Sequence, residues 1–511
     1  MFGSVLYFIS NHMGFVISGF TMSNNIKTLI LLTALMALCL SLTVYADEDT
    51  SHKIWQETQH NQRENEANLI TPDPVFAESN ASLIVIDGQT FQVENNLNDI
   101  AQALYLAINH QQWPDVRRFL TAYQKLSGHD VMLVNFAQGG LARFEGNLGL
   151  SAYHYQQILN QQPDFTRIKL DLARVYFEDH KNREAEQLFV GLSEQHELPA
   201  IVVKNINSYL KAIALRNGWR GSFSAGYTYN DNVNMASDQE APYQYDPKTQ
   251  TILKQLIPKP IKAWGVSYDA TLSRRYQLAG HHGIFGRGLI YGENYRAHHN
   301  ENENTFMITA GYNYKSSNHD FSFGPLFEYK QHAGDTFYRA IGAKTEWRWA
   351  FTGQTALNIE LEHKQLHHQQ RYRRKDGELS STYLTLSHAI SKNFILSGGG
   401  DWVYRNNDQH PMDRYQQWGI RTGISGQIYP GINGSLFATL KKRHFGAYHP
   451  MLHAIRQDNE QIYSAVIKVP AAEIWGMTPS FTFRHRRNHS NVDWLYSYNK
   501  NEVLIRLEKY F

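Results

Sequence analysis

The chain ends on the stretch RLEKYF, residues 506–511, which continues a regular alternation that begins at Val503. Val503, Ile505 and Leu507 are aliphatic, whereas the alternate residues Leu504, Arg506, Glu508 and Tyr510 are mostly polar. A period of two residues indicates a half-buried β-strand. Soluble domains usually end in frayed polar residues, but a strand that closes a barrel in a membrane keeps its pattern to the end. The ending therefore predicts that Phe511 belongs to a closing barrel strand and acts as a barrel-assembly signal.

The composition agrees with a membrane barrel rather than a bundle of membrane helices. The 511 residues include 30 Tyr, 26 Phe, 10 Trp and 35 Gly, and mean hydropathy is −0.48. Aromatic residues are thus plentiful while long apolar segments are scarce, which is typical of transmembrane β-barrels. The formal net charge of +2 gives no reason to expect a nucleic-acid partner.

The first 46 residues contain the one long apolar run that follows a basic residue. Lys27 precedes this run, and acidic residues follow it from Asp47 onward. This pattern predicts a signal peptide within 1–46, with Met22 as the initiator, although the run also approaches the roughly 18 residues of a membrane helix. The single cysteine, Cys39, lies inside the run, so we expect a mature chain without thiols.

Three further segments precede the barrel. Residues 47–82 are polar and rich in turn formers, which predicts a flexible leader. Two alternating runs flank Asp87-Gly88 and predict a short hairpin over 83–94. Apolar residues then recur every three or four positions over 95–216, which predicts an α-helical domain.

Part of this helical segment repeats itself with the period of a tetratricopeptide array. Five small or apolar residues are followed 34 positions later by similar ones: Gly139, Ala142, Ser151, Tyr155 and Ile158 are followed by Ala173, Tyr176, Ala185, Phe189 and Leu192. Small residues let paired helices approach, while the larger ones fill the space between pairs. Helices over 96–109 and 113–127 predict an earlier, degenerate repeat. An ordinary helical bundle is the alternative interpretation.

From residue 217 to 511 the period is two throughout. We identify about fourteen alternating runs of about ten residues, the length that crosses a bilayer when tilted. The segment therefore predicts an antiparallel outer-membrane β-barrel of about 14 strands. Short connections alternate with long ones, which places the helical domain and Phe511 on the same, periplasmic side. Five charged residues are predicted to face the lumen and to make it wet and mixed in charge, without an apolar patch: Lys344, Glu346, Arg348, Glu360 and Glu362.

Three segments, in this order, resemble the Slam family of surface lipoprotein assembly modulators from Gram-negative bacteria. They begin with ALYLAINHQQWPDVRRFLTAYQKL at residue 103, QQPDFTRIKLDLARVYFED at residue 161 and GYTYNDNVNMASD at residue 226. The resemblance covers about 95–511. It implies an outer-membrane translocon that moves lipoproteins, or related soluble haem- and metal-capturing proteins, to the cell surface.

On this resemblance, we expect aromatic residues of the helical domain to contact the client. The candidates are Tyr105, Phe119, Tyr123, Phe136, Tyr153, Tyr155, Tyr176 and Phe189. The expected partners are a secreted lipoprotein or soluble client, the outer membrane with its lipopolysaccharide, the barrel-assembly machinery and periplasmic chaperones. We expect a monomer that needs no cofactor.

Other polar clusters give weaker indications. The motif NDNVN at 230–234 lacks the acidic spacing of a calcium loop and predicts a turn at a strand end. Adjacent histidines at 281–282, 298–299 and 367–368 point apart on a strand, so we expect solvated loop residues rather than metal ligands. Basic clusters at 371–375 and 484–487 predict exposed loop charge or contacts to acidic lipopolysaccharide or to a client.

Two other classes of function remain as alternatives. Some outer-membrane barrels are hydrolases, but the sequence has no GxSxG elbow and no assignable serine, histidine and acid set. A passive porin or nutrient-uptake barrel is the second alternative. A porin has no need for a helical repeat domain, so the helical domain separates it from a translocon.

Overall fold

The computed structural model describes residues 54, 83–86, 89–195, 198–246, 251–254 and 257–511. The predicted signal peptide and, apart from Ile54, the predicted leader lie outside these residues. Among the described helices, none is long and apolar enough to cross a membrane.

A short hairpin and a run of helices form the first part of the described chain. The hairpin strands are β1 (Leu83–Ile86) and β2 (Gln89–Gln92). The helices are α1 (Leu97–Asn109), α2 (Trp113–Tyr123), α3 (Val131–Phe144), α4 (Leu148–Gln161), α5 (Thr166–Glu178), α6 (Asn182–Ser193) and α7 (Ala200–Asn217). Side chains cap three of them: Asn96 accepts a hydrogen bond from the Asp99 amide at 2.9 Å, Asp130 from the Met132 amide at 2.8 Å, and Asn147 from the Leu150 amide at 3.1 Å. Such caps satisfy amides that the helix leaves unpaired.

Small residues allow the helices of the repeats to pack closely, as the 34-residue period predicts. A β-carbon at Gly139 would lie 2.5 Å from Cε1 of Tyr155, and one at Gly140 would lie 2.8 Å from Cζ3 of Trp113. The Ser151 hydroxyl donates a hydrogen bond to the Gly139 carbonyl at 2.7 Å. Since only glycine fits at these positions without displacing an aromatic ring, the predicted tetratricopeptide-like packing is confirmed.

The last helix, α7, covers the end of the repeat array and leads into the barrel. Tyr209 stacks on Phe189 with ring centroids 5.0 Å apart. Arg216 donates hydrogen bonds to the Phe177 carbonyl at 2.6 Å and to Oδ1 of Asn182 at 3.0 Å. These contacts give a carbonyl near the end of α5 a hydrogen-bond partner and tie α7 to the turn between α5 and α6.

The second part of the chain is a closed antiparallel barrel of 14 strands, which confirms the predicted fold class. The strands from residue 220 onward are β3 (Arg220–Asn230), β4 (Tyr243–Asp246), β5 (Thr251–Lys254), β6 (Ala263–Ala279), β7 (His282–Tyr295), β8 (Glu303–Lys315), β9 (His319–His332), β10 (Asp335–Ala350), β11 (Thr355–His368), β12 (Gly377–Ala389), β13 (Phe394–Asn406), β14 (Tyr415–Tyr429), β15 (Ile432–Phe445), β16 (Gln457–Lys468), β17 (Thr478–Ser490) and β18 (Tyr498–Tyr510). The strands β4 and β5 form a separate ribbon in the connection between β3 and β6. All other strands of this list belong to the barrel.

The two ends of the barrel differ. We call the end where β3 begins and β18 ends the domain rim, and the other end the far rim. Connections at the domain rim are mostly tight turns, such as 280–281 and 430–431, as the sequence predicts. Two connections depart from the predicted alternation: 469–477 at the domain rim is long, and 333–334 at the far rim is tight.

Phe511 closes the barrel at the domain rim. Its amide donates a hydrogen bond to the Gly221 carbonyl at 3.1 Å, and its carbonyl accepts one from the Gly221 amide at 2.8 Å. Its ring also covers this glycine, because a β-carbon at Gly221 would lie 3.0 Å from Cζ of Phe511. An aromatic ring over a strand glycine compensates for the missing side chain.

The NDNVN motif closes the same seam at the far rim. The Asp231 carboxylate accepts hydrogen bonds from the Asn501 amide and side chain, both at 2.7 Å, and the Asp231 amide donates to the Asn501 carbonyl at 3.1 Å. Asn232 donates to the Asn499 carbonyl at 2.9 Å. The motif therefore joins the first and last barrel strands.

Gly226 gives a test of the seam, because its β-carbon position lies only 1.9 Å from the Ile505 carbonyl oxygen. We expect Gly226→Ala to force the two strands apart, at a cost of about 1–3 kcal/mol for overpacking. The measurement is the fraction of heat-modifiable barrel in purified outer membranes. Gly288→Ala is the control, since nothing lies within 4 Å of its β-carbon position. Equal folded fractions for the two variants would contradict the close approach of β3 and β18 at Gly226.

Candidate functional site

The eight predicted client-binding aromatics do not share one environment. Five are core residues, exposed by 7% or less: Phe119, Tyr123, Phe136, Tyr155 and Phe189. Tyr176 is half-buried, and its hydroxyl accepts a hydrogen bond from Gln156. Only Tyr105 and Tyr153 are open to solvent, at 52% and 54% exposed. The five core residues cannot contact a client in the folded domain, because the same positions that carry the repeat pattern also fill its interior.

The helices also carry exposed apolar side chains that the sequence analysis did not select. Four on the helices are exposed by 45% or more: Val131, Phe144, Leu150 and Ile201. Leu150 lies one helical turn before Tyr153, so the two side chains share a face of α4. Phe144 stacks on Trp113 with ring centroids 5.7 Å apart. Residues outside the repeat signature are therefore the better candidates for client contact.

Four of the five predicted lumen residues form one ionic cluster on the inner wall. Nζ of Lys344 lies 3.2 Å from Glu360, 3.3 Å from Glu346 and 4.0 Å from Glu362. The register explains this, since Lys344 faces Glu362 and Glu346 faces Glu360 across β10 and β11. Arg348 lies one step closer to the domain rim and faces Asp320 of β9.

The cluster extends to inward residues that the sequence analysis did not predict. Nζ of Lys364 lies 2.7 Å from Glu328 and 2.9 Å from Glu362, and Arg287 pairs with Glu346. Other strands of the wall carry further pairs: Asp401–Arg421, Lys468–Glu508, Asp269–Arg506 and Glu502–Arg484. The lumen wall is thus mixed in charge, and its charges largely neutralise one another. The alternation of inward and outward side chains along each strand would have identified these inward partners from the sequence.

The inner wall also contains apolar clusters, contrary to the sequence prediction. One near the far rim includes Phe337, Leu366, Leu379 and Val403. The other consists of Leu289, Met307 and Leu326. These side chains were missed because single aliphatic residues at inward positions do not disturb the alternation of a strand.

The helical domain is fastened to the barrel at the β6–β7 turn. Both oxygens of Glu184 accept hydrogen bonds: one from the Gly280 amide at 2.7 Å and the other from Nε2 of Gln277 at 2.9 Å. The Arg183 amide donates to Oε1 of Gln277 at 3.1 Å, and its guanidinium donates to the Leu278 carbonyl. Four hydrogen bonds thus join α6 to the β6–β7 turn, which fixes the domain on the rim.

The turn between α5 and α6 also contacts this rim. Asp179 lies 2.8 Å from Nε2 of His281 and 3.0 Å from Nζ of Lys181. Burial raises the pKa of Asp179, but the hydrogen bonds from His281 and Lys181 outweigh it and hold the pKa below its usual range. Burial and the nearby cation Lys315 lower the pKa of His180 well below the ordinary value. His180 is therefore neutral when the domain is docked.

The expectation of solvated loop histidines is wrong for part of the pairs, because His282 lies on β7 and His368 lies on β11 with its side chain 1% exposed. His282 hydrogen-bonds the Tyr312 hydroxyl at 2.6 Å, and His368 lies 3.2 Å from Asp376. Among the residues that the structure describes, no group of three or more potential ligands is arranged around a common point.

The two basic clusters occupy different environments. Residues Gln370–Lys375 form a 3-10 helix at the far rim, where Arg371, Arg373 and Arg374 are exposed, as expected for loop charge. In contrast, residues 484–487 lie inside β17, so their assignment to a loop was wrong. Arg484 turns inward to Glu502 because alternate strand residues face the lumen.

Comparison with known proteins agrees with this architecture. The family described as "Surface lipoprotein assembly modifier" matches residues 219–511, and "Surface lipoprotein assembly modifier, N-terminal TPR repeats" matches residues 86–189. The chain belongs to the surface lipoprotein assembly modifier family. The family predicted from the sequence is thus confirmed.

Two relatives within this family align over most of their length. The "Hemophilin secretion modulator" of Acinetobacter baumannii is 36% identical over 490 residues, which cover 93% of this chain and 99% of the relative. The "Surface lipoprotein assembly modifier 1" of Neisseria meningitidis serogroup B is 24% identical over 435 residues, which cover 84% of this chain and 86% of the relative.

Substitution of Glu184 tests whether its hydrogen bonds hold the helical domain on the barrel. Replacing it with alanine removes two hydrogen bonds and leaves Gly280 and Gln277 without these acceptors, at a cost of about 1–3 kcal/mol. We expect Glu184→Ala to broaden the distance between spin labels at Gln187→Cys and Ser317→Cys, measured by pulsed electron spin resonance. Glu186→Ala on the same helix is the control and should leave the distance narrow. A narrow distribution in both variants would contradict the role of Glu184.

The lowered pKa of His180 predicts that the helical domain docks less tightly on the barrel at acidic pH. Because its pKa is lowered in the docked state, the undocked state binds a proton first, and docking is lost as pH falls below the ordinary histidine pKa of about 6.5. We expect the same label pair to show a growing undocked fraction between about pH 8 and about pH 5. His180→Asn, which tolerates the positive φ of 58°, should reduce this dependence. An unchanged pH profile in the variant would contradict the assignment.

Proposed function

We propose that the protein is a non-enzymatic outer-membrane translocon that delivers a secreted client protein to the cell surface. In this proposal, residues 47–82 are a leader exposed by signal-peptide cleavage, 95–216 form a periplasmic client-binding domain, and 217–511 form the membrane barrel. The names of the family and of both relatives support a role in assembly or secretion.

The observation that carries the proposal is the attachment of a helical repeat domain to one rim of the barrel. Repeat scaffolds present extended surfaces that suit an elongated or partly folded partner. The contacts of Glu184 hold this surface beside the pore end. A passive porin has no use for a rigidly attached protein-binding scaffold.

The lumen supports passage rather than tight binding. A barrel of 14 strands lies between small barrels filled by side chains and the wide porins of about 16–18 strands. A client would therefore cross unfolded or after a rearrangement of the lumen. Cations such as Lys344 and Lys364 are already paired with carboxylates, so a passing chain meets little net charge.

The client is a surface lipoprotein or a soluble protein of the kind that the relatives' names indicate. The higher identity to the hemophilin secretion modulator, 36%, compared with 24% for the meningococcal relative, favours a secreted haem-acquisition protein. We further propose that the protein acts as a monomer. Periplasmic chaperones and the barrel-assembly machinery would insert it beside lipopolysaccharide, with Phe511 as the recognised terminus.

Deletion of residues 96–216 tests this function. We expect the remaining barrel to stay folded and heat-modifiable, because its seam contacts Gly221 to Phe511 and Asp231 to Asn501 lie within the barrel. Surface display of a co-expressed client, measured with antibodies on intact cells, should be abolished. Glu184→Ala, which loosens the domain without removing it, should reduce display less. Normal display by the deletion variant would contradict the proposal and favour the porin alternative.

A further inference from the structure

One apolar patch on the inner wall lies on three neighbouring strands. It consists of Leu289 on β7, Met307 on β8 and Leu326 on β9. Leu289 and Met307 face each other in register, and Leu326 faces Thr309, two residues along β8 from Met307. Cross-strand and diagonal neighbours of this kind touch. The three side chains therefore form one continuous surface, which we call the lumen patch.

Strand parity shows that the lumen patch faces the interior and not the lipid. The adjacent residues Ile290 and Ile308 are 40% and 45% exposed, as expected for the outer surface, whereas Leu326 is 1% exposed. Met307 faces Glu328, which belongs to the inward ionic cluster. An aliphatic surface therefore lies among paired charges inside the barrel.

Ile54 packs against the lumen patch. This residue precedes the hairpin and belongs to the segment that the sequence predicts as the leader. Because the patch faces inward, the contact places residue 54 inside the barrel. The contact removes aliphatic surface from water on both sides, which stabilises this placement.

We propose that the lumen patch is a binding site for one aliphatic side chain of an extended polypeptide, and that Ile54 occupies it in the resting protein. The proposal rests on the translocon function. An incoming client segment would place its own leucine, isoleucine or valine on the patch and displace Ile54. The contact of Ile54 is thus autoinhibitory: it keeps the lumen patch covered until a client competes for the same surface.

The surroundings of the patch define what it accepts. Charged pairs border it, with Lys364 and Glu328 on one side and Arg287 and Glu346 on another. Tyr291 packs at its edge. An aliphatic side chain gains by covering the patch, whereas a charged one would compete with ion pairs that are already formed.

Cysteine cross-linking tests the contact. In a Cys39→Ser background, which is free of thiols because Cys39 is the single cysteine, we expect Ile54→Cys to cross-link to Met307→Cys in isolated outer membranes. A mild oxidant or a short bis-maleimide supplies the bond. The control is Ile54→Cys with Thr439→Cys, an inward position on β15, which lies seven strands from β8 in either direction. Absence of the first cross-link, or equal yields for both pairs, would overturn the proposal.

The disulfide also tests autoinhibition. We expect the Ile54–Met307 disulfide to abolish client display and reduction to restore it, both measured on intact cells. If display is normal while the disulfide is intact, Ile54 does not need to leave and the autoinhibitory role is wrong. The translocon function is judged separately, from display by the reduced protein and by the variant that lacks 96–216.

A point variant provides a second test that does not depend on cross-linking. Ile54→Ser should weaken occupancy of the patch and give a severalfold rise in the open fraction of channels in planar bilayers. Ile70→Ser, a matched change in the same predicted leader, should behave like the original protein. An equal open fraction in both variants, whether raised or unchanged, would overturn the proposal.

Discussion

The structure depends on the closure of one seam between its first and last barrel strands. In a membrane, each strand amide and carbonyl must find a partner in the protein, so an open edge is not tolerated. Here the seam is held at one rim by the paired backbones of Gly221 and Phe511 and at the other by Asp231 and Asn501. Between them, Arg506 passes Gly226 and reaches Asp269 on β6. The last residue of the chain and the NDNVN motif thus have one shared role in closing the barrel.

A second constraint acts on the inner wall of the barrel. A charged side chain that is held away from bulk water needs a partner of opposite charge. Ionised groups removed from water are costly unless they are paired. The wall meets this by placing opposite charges in register, as with Lys344 and Glu362, or on nearby strands, as with Lys364 and Glu328. Such pairing leaves a polar surface on which a polypeptide meets little net charge. The lumen patch is an apolar exception on this polar wall. The residue that covers it therefore indicates which kind of side chain the wall can bind.

The sequence predicted the features that repeat and missed those that join distant segments. Alternation specified the strands, and the 34-residue period specified the helix pairs, because both are local consequences of side-chain spacing. Neither pattern separates an aromatic residue in the core, such as Tyr155, from one at the surface, such as Tyr153. The pairing of Glu184 with Gly280 joins groups 96 residues apart, and the packing of Ile54 against the lumen patch joins residue 54 to the barrel wall. Such contacts follow from the closed fold and not from spacing along the chain.

The long-range contacts share one arc of the barrel. The helical domain is attached at the β6–β7 turn through Glu184, and Ile54 lies on the patch formed by β7, β8 and β9. The ionic cluster of Arg287 and Glu346 bridges β7 and β10 on the same arc. A force applied to the domain by a bound client therefore acts on β3, which follows α7 in the chain, and on β6 and β7, next to the wall that holds Ile54. Packed interiors move between discrete arrangements rather than deforming continuously. This arc can therefore couple client binding outside the lumen to the release of Ile54 inside it.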